Sequence, residues 1–186
     1  MSLSHAVLTS LLEKASSGYD LARRFDKSIG YFWHATHQQI YRELARMEEA
    51  GWVESVAASD AGNTRKRSYR VLPAGRDELV RWAREPSAPM DLRDEVTVRL
   101  RADAALGPLG LEADLLRRID QHEEKLQTYR DIEARDFPPG QVLGREARIQ
   151  HMILKKGILF EQGSIAWTGE MLDVLASSPP PSATKT

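Results

Sequence analysis

The spacing of apolar residues changes along the chain from a helical period to a strand period and back again. Three helix-length patterns come first, over residues 3–15, 18–28 and 36–51. Two segments with alternating side chains follow, over residues 52–58 and 64–72. A helical period then returns from Pro73 to about Arg84, with proline at a favoured first helical position. This order of elements is the strongest constraint on the fold of the first half of the chain.

The third helical pattern carries signals for both of its ends. Thr36 and Gln39 form a capping-box pair, in which each side chain accepts a hydrogen bond from the backbone of the other residue. Apolar residues follow at i, i+4 and i+7, namely Ile40, Leu44 and Met47. That spacing predicts one buried face and a polar outer side. Gly51 suits the position just after the helix, where the chain commonly turns with a positive φ.

The two strand-like segments are joined by the turn-rich stretch Ser59–Asn63, so they are predicted to pair as a β-hairpin. Arg65, Lys66 and Arg67 lie near its tip, where burial in a core is disfavoured. Three helices, a hairpin with a basic tip and a following helix make the arrangement of a winged helix-turn-helix domain. In such a domain one helix enters the major groove of DNA, and its N-terminal residues reach the base edges.

This arrangement predicts a DNA-binding surface at the start of the third helix and the tip of the hairpin. Glutamine can bond adenine in a bidentate way, and basic side chains can contact backbone phosphates. The candidate DNA-binding residues are Thr36, His37, Gln38, Gln39, Tyr41, Arg42, Arg65, Lys66 and Arg67. Two simpler interpretations stay open: the basic tip is a solvated hairpin end, or Tyr41 packs against its own domain. Tyr19, near the start of the second helix, is predicted to be a core residue with its hydroxyl at the edge.

Two prolines within Glu85–Pro89 interrupt the pattern and mark a predicted domain boundary. The predicted parts are residues 1–85, residues 86–176 and a tail of residues 177–186. The first is a DNA-binding domain and the second a helical dimerisation domain. The tail is rich in Ser and Pro and is predicted to be disordered.

The second half contains three helical patterns, the first capped by Asp91 and the others over residues 111–136 and 142–175. In the middle helix, apolar positions alternate steps of four and three, as in helices that pack side by side, and His122 lies on that seam. The last helix carries Val142, Ile149, Ile153, Phe160 and Trp167 on one side and Leu143, Leu154, Ile158 and Ile165 on others. A helix that is apolar on several sides needs several neighbours, so a homodimer is predicted.

Composition and missing motifs exclude several classes of function. The chain has no cysteine, so disulfides, thiolate metal sites and cysteine nucleophiles are absent. It has no GxSxG, P-loop or GxGxxG motif, and the pair His34 and His37 has no third metal ligand in register. No apolar run approaches the length needed to span a bilayer. We therefore expect a cytoplasmic protein, with formal net charge −1, that has no enzymatic activity, cofactor, metal or membrane partner.

A set of short motifs runs through the first half of the chain. They are Gly18-Tyr19, Tyr31-Phe32-Trp33, Gln38 with Tyr41, Leu44 through Met47-Glu48 to Gly51-Trp52-Val53, Arg65-Lys66-Arg67 with Tyr69, and Ala74-Gly75-Arg76. Together they resemble the PadR family of bacterial transcriptional regulators, in its longer type with a helical C-terminal domain. Ser17 departs from the histidine usual in the family, and Ala35-Thr36-His37 replaces its small polar and proline residues.

The resemblance implies a homodimer that binds a near-palindromic DNA operator and represses transcription. It also implies release from DNA by a small aromatic or cationic ligand bound near the dimer interface. The candidate ligand contacts in this sequence are Trp33, Trp82, Met90, Tyr129 and Trp167. Aromatic residues and methionines at helical spacing are more often core residues than ligand contacts.

The predicted fold is mainly α with a small β-hairpin, an N-terminal winged helix-turn-helix followed by a C-terminal antiparallel helical dimerisation domain. The predicted function is a sequence-specific, DNA-binding transcriptional regulator. The alternative is a winged-helix protein-interaction or ligand-sensing module without its own DNA target. The acidic second half would suit that alternative, whereas the basic hairpin tip favours DNA because a pure interaction module does not need it.

Overall fold

The computed structural model shows two compact units, divided between positions 89 and 90. The structure describes residues 3–26, 33, 35–57, 67–87 and 93–177. Each unit contains its own cluster of buried apolar residues. The two units are therefore described in turn.

Four helices and three strands form the described part of the first unit. In chain order they are α1 (Leu3–Glu13), β1 (Ser16–Ser17), α2 (Gly18–Asp26), α3 (His37–Glu49), β2 (Val53–Ala57), β3 (Arg67–Val71) and α4 (Pro73–Ala83). The predicted order of three helices, two long strands and a fourth helix is confirmed. The predicted turn Ser59–Asn63 lies outside the described residues.

The sheet of the first unit has three strands, whereas the sequence predicts only a two-stranded hairpin. β3 is the central strand and pairs antiparallel with β2 on one side and with β1 on the other. On the β1 side, Ser16 lies opposite Tyr69 and Ser17 opposite Ser68. A strand of two residues cannot show an alternating pattern. Its pairing is therefore set by the tertiary fold and not by any periodic signal in the sequence.

One apolar cluster holds the first unit together. Its buried residues are Val7, Leu8, Leu11, Leu21, Ala22, Phe25, Ile40, Leu44, Met47 and Val53. The predicted stripe of α3 is confirmed, since Ile40, Leu44 and Met47 are each at most 1% exposed. Complete burial of one such side chain contributes about 1.5–3 kcal/mol of transfer free energy. The stripe therefore fixes which side of α3 faces the interior.

The end of α3 turns the chain directly into β2. Ala50 is the C-cap, and Gly51 follows with a φ of +69°. The backbone N–H groups of Gly51 and Trp52 donate to the carbonyls of Glu48 and Met47, at 3.1 and 2.8 Å. This is the Schellman pattern, which needs a left-handed residue after the C-cap. The prediction that Gly51 ends the helix is confirmed, and its positive φ is the reason for glycine.

The backbone carbonyl of Trp52 is the contact point for α4. The N–H of Leu72 donates to it at 2.9 Å. A Cβ added at Gly75, in the first turn of α4, would lie 2.3 Å from the same carbonyl oxygen. No side chain larger than hydrogen therefore fits at Gly75 without moving the helix.

A second contact joins α4 to α1 through the buried His5. The ring of His5 stacks on the Trp82 ring with centroids 4.4 Å apart, and its Nε2 lies 3.0 Å from a carboxylate oxygen of Glu78. Hydrogen bonds from Arg81 and from His5 lower the pKa of Glu78 from its ordinary 4.5 to about 2. The carboxylate is therefore ionised at neutral pH and can accept both bonds.

The described part of the second unit is helical, with α5 (Glu95–Leu106), α6 (Glu112–Asp136) and α7 (Arg145–Ser177). Residues 107–111 and 137–144 are not helical and separate these helices. The prediction that Asp91 caps the first of them is wrong. Asp94 is the N-cap, because its carboxylate accepts the Val96 N–H at 3.1 Å.

Helices α6 and α7 pack as an antiparallel pair. Leu126, Tyr129 and Ile158 form the buried cluster between them. Two histidine–carboxylate pairs flank this cluster, His122 with Glu161, and His151 Nε2 with Glu133 at 2.6 Å. His122 is predicted to be buried or interfacial, and within this chain it pairs with a side chain that is 3% exposed.

α7 is apolar on more than one side, as predicted, but only one side meets α6. Ile158, with the partly buried Leu154 and Ile165, lies in the α6 contact. Large apolar side chains remain exposed elsewhere on α7, namely Ile149, Met152, Ile153, Leu159, Phe160, Trp167 and Val174. Val142 and Leu143 precede the helix, which begins at Arg145. A search of the described helices finds none with the length and apolar character that a membrane span requires.

Replacement of Gly75 by alanine is expected to destabilise the protein, although alanine favours an isolated helix by about 1 kcal/mol over glycine. The added methyl group overlaps the Trp52 carbonyl oxygen, which belongs to the backbone and cannot rotate away. The expected loss in the free energy of unfolding is about 1–3 kcal/mol, measured by urea unfolding followed by circular dichroism. Gly169→Ala on α7 is the control, because its added Cβ meets nothing within 4 Å. A Gly75→Ala variant as stable as the parent would contradict the close contact.

Candidate nucleic-acid interface

The outer side of the first turns of α3 is polar and exposed. Burial of Ile40 and Leu44 on the inner side forces the intervening side chains outward. The predicted contact residues on this helix start are all exposed, namely Thr36, His37, Gln38, Gln39, Tyr41 and Arg42. The structure therefore brings six of the nine predicted DNA-binding residues onto one short surface.

The capping box at the start of α3 is present as predicted. The Gln39 N–H donates to Thr36 Oγ1 at 3.2 Å, and the Thr36 N–H donates to Gln39 Oε1 at 2.8 Å. The two bonds fix the helix start and also engage the carbonyl oxygen of the Gln39 side chain. Gln38 plays no part in the capping box, so its side chain is the better candidate for bidentate contact with a base.

Tyr41 is both exposed and packed, so the two interpretations of this residue are not exclusive. Its side chain is 46% exposed. One edge of its ring lies over Gly18, where an added Cβ would be 2.5 Å from Tyr41 Cε1. The absence of a side chain at Gly18 thus leaves room for the ring. This contact packs the Tyr41 ring, which projects from α3, against the start of α2.

Tyr19 and Arg23, on α2, extend the same kind of surface. The prediction that Tyr19 is a core residue is wrong, because Tyr19 is 56% exposed. The guanidinium carbon of Arg23 lies 5.7 Å from the centroid of the Tyr19 ring, within the range of a cation–π contact. The buried apolar side chains of α2 are Leu21, Ala22 and Phe25. Their spacing places Tyr19 away from the core and is the sequence signal that could have shown its exposure.

Arg67 is the described basic residue at the loop end of the hairpin. It is exposed, begins β3 and lies opposite Ala57. Arg65 and Lys66, the other DNA contacts predicted on the hairpin, lie outside the described residues. The hairpin thus presents at least one cation at its loop end, one residue from the position where β3 pairs with β1.

Glu48 ties the recognition-type helix α3 to the sheet. Its Oε1 accepts the Ser55 N–H at 2.9 Å. Hydrogen bonds from the Ser55 side chain and backbone lower the pKa of Glu48, and the charge of Arg67 lowers it further. Burial raises the pKa of Tyr69, and the negative charge of Glu48 adds to that effect. The helix and the hairpin are therefore joined by a charged, hydrogen-bonded contact.

The residues predicted to contact a ligand lie in different surroundings. Trp33 packs against the apolar cluster of the first unit, and Trp82 stacks on His5. Tyr129 is buried between α6 and α7, where its ring would be 3.0 Å from a Cβ added at Gly157. Trp167 on α7 is 39% exposed. Met90 lies outside the described residues.

Two family models match the chain. The model of the transcriptional regulator PadR-like family covers residues 7–81, and the model of the virulence activator alpha C-terminal region covers residues 92–176. The probable transcriptional regulator Rv1176c of Mycobacterium tuberculosis is 40% identical over 185 residues, which is 94% of this chain and 98% of that protein. The chain belongs to the PadR-like family. The negative transcriptional regulator PadR of Bacillus subtilis is 31% identical over 98 residues, 52% of this chain and 54% of that protein.

Solved structures of related regulators match most of this PadR-like chain. The Vibrio cholerae virulence activator AphA matches with a TM-score of 0.78 and 33% identity, over 95% of this chain and 99% of that one. PadR of Bacillus subtilis in complex with operator DNA matches with a TM-score of 0.79 and 22% identity, over 93% and 98%. The same protein in complex with p-coumaric acid matches with a TM-score of 0.75 and 22% identity, over 94% and 99%. The predicted family and fold class are confirmed.

The PadR-like chain is a transcriptional regulator and not an enzyme, as its family and its relatives show. Within the described ranges, no three His, Cys, Asp or Glu side chains are placed to hold a metal ion. The candidate site is thus a binding surface on the winged helix-turn-helix unit. Its described part consists of the start of α3, the start of α2 and the loop end of the hairpin strands.

Gly18→Ala is expected to displace the Tyr41 ring, because the new methyl group would lie only 2.5 Å from Tyr41 Cε1. The chemical shifts of the Tyr41 ring protons report the displacement directly. Loss of the predicted contact between Tyr41 and DNA should cost about 1 kcal/mol, so DNA affinity should fall about fivefold. In a Tyr41→Ala background the same change should add little further loss. An equal loss in both backgrounds would show that Gly18 acts independently of Tyr41.

Proposed function

We propose that this PadR-like chain binds double-stranded operator DNA as a homodimer and represses transcription. The observation that carries the proposal is the exposed polar start of α3, held by a capping box and by a buried apolar face. A helix fixed in this way can enter the major groove and present its side chains to base edges. The structure of Bacillus subtilis PadR with operator DNA, which has the same fold, supports this use of the fold.

The proposal assigns base contacts and phosphate contacts to different residues. His37 and Gln38 would meet base edges, with the amide of Gln39 beside them. Tyr41 and Arg42 would meet phosphates from α3. The predicted wing residues Arg65, Lys66 and Arg67 would meet phosphates from the hairpin. Tyr19 and Arg23 join this second group, because they are exposed next to the start of α2.

The exposed apolar side of α7 supports the proposed homodimer. Leu159 and Phe160 are 69% and 59% exposed, and Ile153 is 49% exposed. An exposed apolar strip of this extent on a helix is more often an interaction surface than a surface that stays exposed to water. A second copy of the helix is its simplest partner, since a two-fold axis lets one patch cover its equivalent. The two-fold axis also predicts a near-palindromic operator with half-sites one DNA turn apart, about 34 Å.

Repression is the proposed direction of control, because a dimer seated on an operator blocks access to that DNA. The description of the Bacillus subtilis relative as a negative regulator supports it.

We also propose release by a small aromatic ligand, which the complex of that relative with p-coumaric acid supports. Of the predicted ligand contacts, Trp167 suits this role best because it is partly exposed, whereas Tyr129 is buried in the helix pair. A cytoplasmic location and the limits 1–85, 86–176 and 177–186 for the two domains and the tail stay predictions.

The proposed function is tested by fluorescence anisotropy of labelled duplex from the DNA upstream of the gene. Binding by one dimer per site that resists scrambled competitor supports a sequence-specific regulator. Equal competition by scrambled duplex would contradict sequence specificity. Absence of binding at low salt would instead favour an interaction module without a DNA target. A reporter gene placed downstream of the bound site distinguishes repression from activation.

The assignment of contacts predicts two kinds of variant. Lys66→Ala and Arg67→Ala should weaken binding to every duplex alike and lower the salt slope by about one unit for each lost phosphate contact. His37→Ala and Gln38→Ala should instead reduce the preference for the operator over scrambled duplex. Anisotropy titrations at several salt concentrations measure both quantities. Identical behaviour of the two groups would show that the assignment is wrong.

The proposed dimer predicts that a charge on the exposed side of α7 separates the subunits. Leu159→Asp should give monomers in sedimentation velocity and lower operator affinity, because the interface would then bury a carboxylate without a partner. Leu159 suits the test because it is 69% exposed in the single chain. Gln162→Asp is the matched control, since Gln162 is exposed on the polar side of the same helix. A dimer that survives Leu159→Asp unchanged would place the interface elsewhere.

A further inference from the structure

Arg24 is a partly buried basic residue of α2, and its guanidinium lies against the end of α1. Its Nη2 donates to the carbonyl of Lys14 at 2.8 Å and to Ser10 Oγ at 3.2 Å, and it also bonds the Ser10 carbonyl. Its Nη1 donates to Ser16 Oγ at 2.5 Å. One guanidinium thus joins the end of α1 to β1. The planar fork of arginine suits such a set of acceptors, which a single ammonium group could not reach together.

The two serines that accept hydrogen bonds from Arg24 are buried, and Ser16 is also bonded to the third acceptor, the Lys14 carbonyl. Ser10 is completely buried and Ser16 is 7% exposed. The Ser16 hydroxyl donates a hydrogen bond to the Lys14 carbonyl at 2.9 Å. Cationic side chains are favourable at carbonyls near a helix C-terminus, where the helix dipole is negative. Desolvation lowers the pKa of Arg24, while the charges of Glu13 and Asp20 oppose that shift.

β1 is the element that this cluster fixes in place. With only two residues, β1 has too few ladder bonds to hold its own position. Its Ser17 lies opposite Ser68 of β3, and Ser68 directly follows Arg67. β2 and β3 can pair with each other wherever the hairpin lies, so their pairing does not orient the hairpin. The orientation depends on contacts outside the hairpin, which include β1 on one edge and Glu48 on the other.

We propose that Arg24 is a positioning residue for DNA binding, which through β1 sets the place of β3 and Arg67 relative to the helix that enters DNA. Arg24 itself makes no contact with DNA in this proposal. Its neighbour Arg23, which is exposed, is a direct contact in the proposed function. Two adjacent arginines with the same charge therefore have different roles. The inference rests on the proposed function for its DNA readout but not for its structural readout.

The structural readout is amide hydrogen exchange in the free protein. In Arg24→Gln the amides of residues 16–17 and 68–69 should exchange faster, while those of the β2 half of the hairpin and of α3 stay as in the parent. Ser16→Ala is a milder variant, because it removes one acceptor of Arg24 and keeps the backbone pairing of β1. It should show the same local pattern. Faster amide exchange throughout the protein, or no change in the exchange of these amides, would overturn the proposed role.

The DNA readout is a double-mutant cycle that combines changes at Arg24 and Arg67 and measures operator affinity. Arg24→Gln should reduce operator affinity about as much as Arg67→Ala does, and the two changes together should cost no more than Arg67→Ala alone. Arg23→Gln combined with Arg67→Ala should instead be additive, as expected of two separate phosphate contacts. Arg76→Gln, an exposed change of equal charge on α4, controls for net charge. Arg24→Lys should restore part of the lost affinity, since its ammonium can still meet one or two of the carbonyls.

The outcomes separate this inference from the proposed function. Additive losses for Arg24→Gln and Arg67→Ala, or full affinity in Arg24→Gln, would overturn the positioning role while leaving DNA binding intact. If the parent protein does not bind its upstream DNA, the proposed function fails. The hydrogen-exchange pattern then still decides whether Arg24 holds β1 and β3 in place.

Discussion

Burial of one face of α3 is the constraint on which the rest of the first unit depends. Ile40, Leu44 and Met47 fill the cluster that α1 and α2 also line, so the rotation of α3 about its axis is fixed. The capping box fixes where the helix begins, and the Schellman turn at Gly51 fixes where it ends. That turn is followed by Trp52, whose backbone carbonyl accepts the Leu72 N–H and contacts the first turn of α4. The exposed polar side of α3 is thus a consequence of packing behind it.

The sheet adds a second constraint, because it places the hairpin against α3. Glu48 holds β2 through the Ser55 N–H, and β1 holds the opposite edge of β3. The pairing of β1 with β3 joins segments about fifty residues apart in the chain, whereas Glu48 and Ser55 are seven residues apart. Each contact consists of only a few polar bonds. In water such bonds are individually weak, so their value depends on the partly buried surroundings in which they lie. A binding surface built from α2, α3 and the hairpin needs all of them at once.

The second unit has a different balance of forces. Its two long helices, of 25 and 33 residues, share a buried cluster of only three residues. The pairs of His122 with Glu161 and of His151 with Glu133 flank that cluster. Much of the apolar surface of α7 stays outside the contact with α6. A protein whose folded monomer leaves this surface bare would be stabilised by association, which is the physical basis of the proposed homodimer.

The sequence by itself determined the order of the elements, both ends of α3 and the family. Those features depend on interactions between residues a few positions apart, such as Thr36 with Gln39, and they leave a periodic or capping signal. Only the tertiary structure decided the pairing of β1, the exposure of Tyr19, the cap at Asp94 and the inward contacts of Arg24. Each of these depends on which distant segment lies alongside, and a two-residue strand or a single arginine leaves no periodic signal. Local chemistry therefore specified the helices, while their assembly into a binding surface was decided by packing.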